Sequence, residues 1–242
     1  MFLQLLKTEY IKLHRAPVWL AFLIMPVIPA LLGTLNYLAN IGILKNEWYS
    51  LWTQHTLFTD YFFLPLMIGI YCSYLMQCEH LQHNWNKLLT MPVPRYMIFA
   101  AKLTVVSFMI LISELWIAVL FIASGTIAGI SSTPPYHSLA AWWLFGTLGG
   151  MVMAALQLGL AIFIKSFARS VAVAFAGGIS GLVFLAKDLG NIWPYSLMAY
   201  GMNSNAPQQL MKTGYVPFIL TCTAYILLFA ILSSKILAKK DW

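Results

Sequence analysis

The sequence predicts an all-α polytopic membrane protein with six transmembrane helices, and three observations lead there. Hydrophobic residues make up 61% of the chain and charged residues 9%, where an ordinary soluble domain is about 25% charged. So few charges cannot cover a soluble monomer of 242 residues, and the mean hydropathy is +0.79. The apolar residues gather into six long runs, and the basic residues between the runs are unevenly shared between the two sides. Six spans of roughly 22 residues use about 130 residues. Residues 1–242 then form a single membrane domain with short loops, which excludes a fused ATPase, a receptor or a large extracellular domain.

Residues 1–16 open with an N-terminal amphipathic surface helix. Phe2, Leu3, Leu6, Tyr10 and Leu13 recur at helical spacing, with Lys7, Glu9, Lys12, His14 and Arg15 between them, giving one apolar and one basic face. These charges, with no small-residue cleavage site after them, argue against a signal peptide. The first span runs over about 17–38, kinked at Pro26 and Pro29. A polar segment with Lys45, Glu47, Trp48, Trp52 and His55 precedes the second span at about 58–78, which contains Pro65. The third span covers about 97–123, and the loop 124–141 after it has no lysine or arginine. The fourth, fifth and sixth spans fall at about 142–164, 171–186 and 215–237.

An even number of spans puts both ends on one side. That side holds Lys7, Lys12, Arg15, Lys87, Arg95, Lys102, Lys165, Arg169, Lys235, Lys239 and Lys240, and the other only Lys45, Lys187 and Lys212. This bias predicts cytoplasmic termini, and it reads the net charge of +7 as topology and not as nucleic-acid binding. Trp19, Tyr37, Tyr61, Tyr96, Trp142, Trp143, Trp193 and Tyr215 near the span ends read as an interfacial belt. Gly177 with Gly181, and Ala174 with Gly178, suit close helix contact within the chain or at a dimer seam. Cys72, Cys78 and Cys222 sit in or beside apolar runs and read as packing residues.

The longest polar stretch, 79–95, is the most informative. Leu81, Trp85, Leu88 and Leu89 form an apolar ridge at i, i+4, i+7 and i+8, opposite His83, Asn86 and Lys87. Pro92 and Pro94 end this helix. Its ridge needs a cover, either the lipid headgroups or a groove on a soluble partner.

Glu79, Trp85, Leu88, Leu89, Pro92, Arg95 and Lys102 together resemble the coupling region of ABC-2-type ABC transporter permeases. The basic surface helix and the six spans fit that family. So does the segment 191–198 before the last span, where the family has an extracellular re-entrant segment. Glu79, His80, Asn84 and Trp85 are most similar to the permeases of lantibiotic or bacteriocin self-protection transporters. The resemblance implies a permease subunit in the bacterial plasma membrane, paired with a second permease, different or identical. Two copies of a separate ABC ATPase would carry ATP and Mg and drive expulsion of a lantibiotic-like peptide. Contact with that ATPase falls, by resemblance, to a cytoplasmic coupling helix with Glu79, His80, Leu81, Asn84, Trp85, Lys87, Leu88, Leu89, Pro92 and Arg95. The chain has no Gly-Lys pair and so no phosphate-binding loop; no catalytic residue and no cofactor is expected on it.

Glu114 in the third span and Gln157 in the fourth are intramembrane polar residues. A carboxyl at that depth either lines a substrate path or fixes helix packing through Gln157 or Ser113. Trp48, Tyr49, Trp52, Trp193 and Tyr195 suit contact with an amphipathic peptide, or simple interfacial anchoring. His80 and His83, beside Cys78 and Glu79, lack the further ligands zinc requires, so no metal site is predicted. His14, His55 and His137 are isolated and read as interfacial. The rival classes are an ion- or proton-coupled secondary transporter or channel using Glu114, an intramembrane hydrolase, and an ABC-2 exporter of another lipid-like or drug substrate.

Overall fold

The computed structural model describes residues 1–14, 16–81 and 84–239. Arg15, Gln82, His83 and Lys240 of the sequence reading lie outside the described residues. Among the described residues all regular structure is helical. Six stretches are long and apolar enough to cross a membrane: Val18–Ala39, Glu47–His80, Arg95–Ile127, Tyr136–Ala161, Phe167–Ala186 and Tyr215–Ala238.

Helix α1 (Phe2–His14) leads into a first span made of α2 (Val18–Ile24) and α3 (Val27–Ala39), which breaks at Met25 and Pro26. The missing proline N–H dictates that break. The second span is α4 (Glu47–Phe58), a π-helical turn (Thr59–Phe63) and α5 (Leu64–His80). It starts well before residue 58, because Glu47, Gln54, His55 and Asp60 depress the local hydropathy while the fold covers several of them with protein. The wide turn lies just ahead of Pro65, which cannot donate to a regular ladder. A short α6 (Asn84–Thr90) connects to α7 (Arg95–Ile127) and α8 (Tyr136–Ala161). Then come α9 (Phe167–Ala186), the short α10 (Leu197–Gly201) and α11 (Tyr215–Lys239).

The core lies between α5, α7 and α8. Leu64, Met67, Ile68 and Leu75, Val106 and Ile110, and Met153 and Leu158 are fully buried there. Only 28%, 22% and 17% of the apolar windows of the first, fifth and last spans are buried, so these three spans form the rim. Their outward Leu20, Leu31, Leu35, Val183, Leu220 and Leu227 would meet lipid.

The small residues of α9 are used within the chain. A Cβ on Gly177 would lie 2.3 Å from the Tyr195 ring, and one on Gly178 would lie 2.6 Å from Pro65. Gly181 abuts the Tyr195 carbonyl, and Ala174 faces Gly69. The segment after α9 folds back along α8, burying Ser196, Leu197 and Met198 completely. Of the aromatics assigned to the interfacial belt, Tyr37, Tyr61 and Trp142 are core residues. Cys72 and Cys222 are buried free thiols and Cys78 is half-buried, as packing residues would be.

The contact between α8 and α10 has no slack, since a Cβ on Gly149 would sit 2.5 Å from the carbonyl carbon and oxygen of Leu197. Gly149→Ala should therefore destabilise the protein by about 1–3 kcal/mol through overpacking. Gly42→Ala, which meets open space, should leave the melting temperature in detergent unchanged.

Candidate functional site

Four charged side chains from three elements meet at the end of the bundle that carries α1. Glu9 and Lys12 stand one turn apart on α1, Glu79 closes α5, and Lys102 lies about two turns into α7. The Lys102 ammonium is 3.0 Å from Glu9 Oε2 and 2.6 Å from Glu79 Oε1. Lys12 Nζ is 2.8 Å from Glu9 Oε1 and also pairs with Glu79. Glu9, Glu79 and Lys102 are 2%, 3% and 1% exposed, deep enough that an unpaired charge would be strongly destabilising. Each carboxylate holds both ammoniums, and the cluster is neutral as a whole. Burial works against the Lys12 ammonium, but Glu9 and Glu79 outweigh it and hold its pKa above the ordinary lysine value. This geometry revises the two-faced picture of α1. The helix docks through Glu9, Lys12 and Leu13, while Leu3, Tyr10 and Ile11 stay exposed.

The short helix α6 hangs from this cluster. Asn84 Nδ2 donates to the Cys78 carbonyl at 2.8 Å, tying the start of α6 to the end of α5. Trp85 Nε1 donates to His80 Nδ1 at 3.1 Å, which leaves the imidazole proton on Nε2. Nε2 then donates to the Ala161 carbonyl at 2.9 Å, at the end of α8. Arg95 Nη1 donates to the Leu89 carbonyl at 2.6 Å and closes the turn made by Pro92 and Pro94. Trp85 is buried, and Leu88 and Leu89 pack on the same core. Of the ridge, Trp85 is thus covered by the chain itself, with Leu88 and Leu89 half-buried beside it, because α6 folds back under α5, while Leu81 stays exposed. What α6 and its flanks expose is Leu81, Asn86, Lys87, Thr90, Met91 and Pro92.

Two buried carboxyls lie further along the bundle. Glu114 Oε2 accepts from Thr147 Oγ1 at 2.9 Å, and Asp60, in the π-helical turn, accepts from the Ser204 hydroxyl. Each keeps its other oxygen, Glu114 Oε1 and Asp60 Oδ1, buried without a hydrogen-bond partner among the described residues. The two lie within electrostatic reach of one another. Each is thirteen residues from the end of its span away from α1, about 20 Å of helix. The expected partners of Glu114 are engaged elsewhere. Gln157 donates to the Ser170 carbonyl at 2.7 Å and accepts from the Tyr195 hydroxyl at 3.2 Å, while Ser113 meets the Tyr71 hydroxyl at 3.0 Å. Asp60 is the residue the sequence reading passes over, since it falls at the edge of the expected second span.

A family model described as ABC-2 family transporter protein matches residues 5–181, which take in most of α1, the charge cluster and α6. The chain belongs to the ABC-2 transporter family. It is a multi-pass membrane component of such a transporter, a permease subunit that is not itself catalytic. A search of curated proteins returns no match.

In this ABC-2 permease the aromatic residues singled out for peptide contact are mostly structural. Trp48 is buried and donates to the Ser132 carbonyl at 2.8 Å. Trp52 is buried, donates to the Met202 carbonyl at 3.1 Å and stacks on Trp142 with ring centres 4.5 Å apart. Trp193 stacks on Phe184 and donates to Ser180, and Tyr195 is buried against Gly177. Tyr49 stays half-buried, edge-on to Trp142. His55 is a core residue bonded to Thr34, not an interfacial one.

Lys102→Met leaves Glu9 and Glu79 sharing the partly exposed Lys12, and should cost about 3–5 kcal/mol, as breaking a buried pair does. A Glu79→Gln change in that background should recover part of the loss, read as non-additivity in a double-mutant cycle. The contribution of Lys12 has a defined sign. Its pKa is raised in the fold, so the stability it adds is fully present below the ordinary lysine value of 10.5 and is lost as pH climbs through the raised value. The melting temperature of the wild type should fall over that alkaline window more steeply than that of Lys12→Met.

Proposed function

We propose that this permease forms half of the membrane domain of an exporter that clears lantibiotic-like or bacteriocin peptides from the bacterial plasma membrane. Both termini lie in the cytoplasm, as the basic-residue bias favours. Two copies of a separate ABC ATPase bind ATP and Mg, and a second permease, different or identical, completes the membrane domain. The observation that carries the coupling role is the suspension of α6. It is bonded to α5 through Asn84 and, by way of His80, to the end of α8, while the charge cluster clamps α5 to α7 and α1. A push on the exposed Asn86 and Lys87 side of α6 therefore reaches three spans and the surface helix together. The peptide substrate rests on the likeness of Glu79, His80, Asn84 and Trp85 to self-protection permeases.

The first experiment is purification of the tagged chain from its native membrane in mild detergent. An ABC ATPase should come with it, and Asn86→Asp with Lys87→Glu should lower the recovered ATPase while leaving the melting temperature of the permease unchanged. A wild-type chain that emerges without an ATPase overturns the reading. Expression of the complete transporter should raise tolerance to a lantibiotic; unchanged tolerance in a complex that still hydrolyses ATP points instead to a lipid-like or drug substrate. The buried pair Asp60 and Glu114 favours a second reading, ion or proton coupling. Collapse of the proton gradient at constant ATP separates the two, because ATP-driven export should persist.

A further inference from the structure

We infer that the cavity at the outer end of the segment between α9 and α11 binds a stretch of peptide through its backbone amides, and that the second span senses its occupancy. The inference rests on the proposed function for the outward direction of this end and for the partner ATPase. The cavity holds about 460 Å³, within the range of small-ligand sites. Leu185 and Ala199 supply apolar wall, and Asn191, Asn203, Asn205 and Gln209 supply amide side chains.

The bonds already made in that wall decide what it can recognise. Asn203 Nδ2 donates to the carbonyls of Ala206 and Gln209 at 2.8 and 2.6 Å, which leaves its Oδ1 as an acceptor. Asn205 Oδ1 accepts from the Tyr61 hydroxyl at 3.1 Å, which leaves its Nδ2 as a donor. A peptide bond offers the complementary C=O and N–H. A phosphate or carboxylate offers only acceptors, and an ammonium only donors. The one charged pair at the rim, Asp188 with Lys212 at 2.6 Å, is matched within itself, so the rim presents no net charge to an ion.

The floor of the cavity is connected to the machinery already described. Ser204 lines it and donates to Asp60, and Asn205 is held by Tyr61. Asp60 and Tyr61 both belong to the π-helical turn of the second span, and α5 carries that span to Glu79. Such single wide turns recur at functional sites. A ligand that draws on Asn205 or Ser204 therefore acts on the helix whose other end sits in the charge cluster.

The test uses the permease with its ATPase partner in lipid nanodiscs, and a linear cationic amphipathic peptide carrying a benzophenone as the probe. Photo-adducts should concentrate within 191–213. Asn191→Ala and Gln209→Ala should each weaken binding by about fivefold to tenfold, the effect of one lost hydrogen bond. Tyr61→Phe, which frees Asn205, should weaken binding by no more than the alanine variants do, yet at saturating peptide show a smaller rise in ATP hydrolysis than wild type. Adducts confined to the lipid-facing α2, α9 and α11, or unchanged affinity in both alanine variants, overturn the inference. A peptide response of Tyr61→Phe equal to wild type overturns its second half. Cross-linking needs no ATP turnover, so failure to recover an ATPase counts against the proposed function and leaves the cavity test decisive.

Discussion

Glu79 and Lys102 are buried where two spans meet because Glu9 and Lys12 arrive with them from α1. A lone pair at that depth would leave carboxylate lone pairs and ammonium protons without partners, and desolvation would outweigh the attraction. Four charges in a closed arrangement satisfy one another. The requirement then propagates outward. It sets α5 and α7 in one register at this end, and it presses Leu13 of α1 into the core. It also fixes the base from which His80 and Asn84 suspend the coupling helix.

The opposite half of the bundle is held mainly by aromatic stacking and single hydrogen bonds. Trp52 stacks on Trp142, Trp48 reaches the Ser132 carbonyl, and hydroxyls from Thr147 and Ser204 hold the buried carboxyls. A hydrogen bond between neutral groups, such as Trp48 to the Ser132 carbonyl, is worth about 1 kcal/mol net, less than a bond to a charged group. The second span runs through both regimes. Its π-helical turn, which carries Asp60 and Tyr61, lies between them, at the kind of wide turn that recurs at functional sites.

Much of this is legible in the sequence, and the rest fails for identifiable reasons. Apolar runs mark all six spans, and Pro26 marks the break in the first. The start of the second span is hidden because hydropathy counts His55 and Asp60 as polar without knowing that protein covers them. The likeness to a coupling region brings out Glu79 and Lys102, but periodicity cannot separate Glu9 and Lys12 from a solvated helix face, since their partners lie 67 and 93 residues away. Glu114 is visible as an anomaly, whereas Thr147, 33 residues on, is one of many hydroxyls until the fold brings it alongside. The aromatic residues near span ends divide between belt and core according to which side of the helix faces inward, and a composition rule carries no such information.

Burying Trp85 of the α6 ridge within the chain changes the nature of coupling under the proposed function. With Trp85 in the core, the surface left for an ATPase combines the polar Asn86, Lys87 and Thr90 with the apolar Leu81, Met91 and Pro92. The polar part of such a contact is screened by salt and adds less than a buried aromatic plug in a groove would. Two permeases and two ATPase copies multiply it, and a second contact made within an assembled complex gains from effective concentration without any new interface. Holding the ATPase is then a property of the assembly, while transmission of force belongs to the single chain. Under that proposal the indole of Trp85, bonded to His80 and packed in the core, carries a push on α6 to the end of α8.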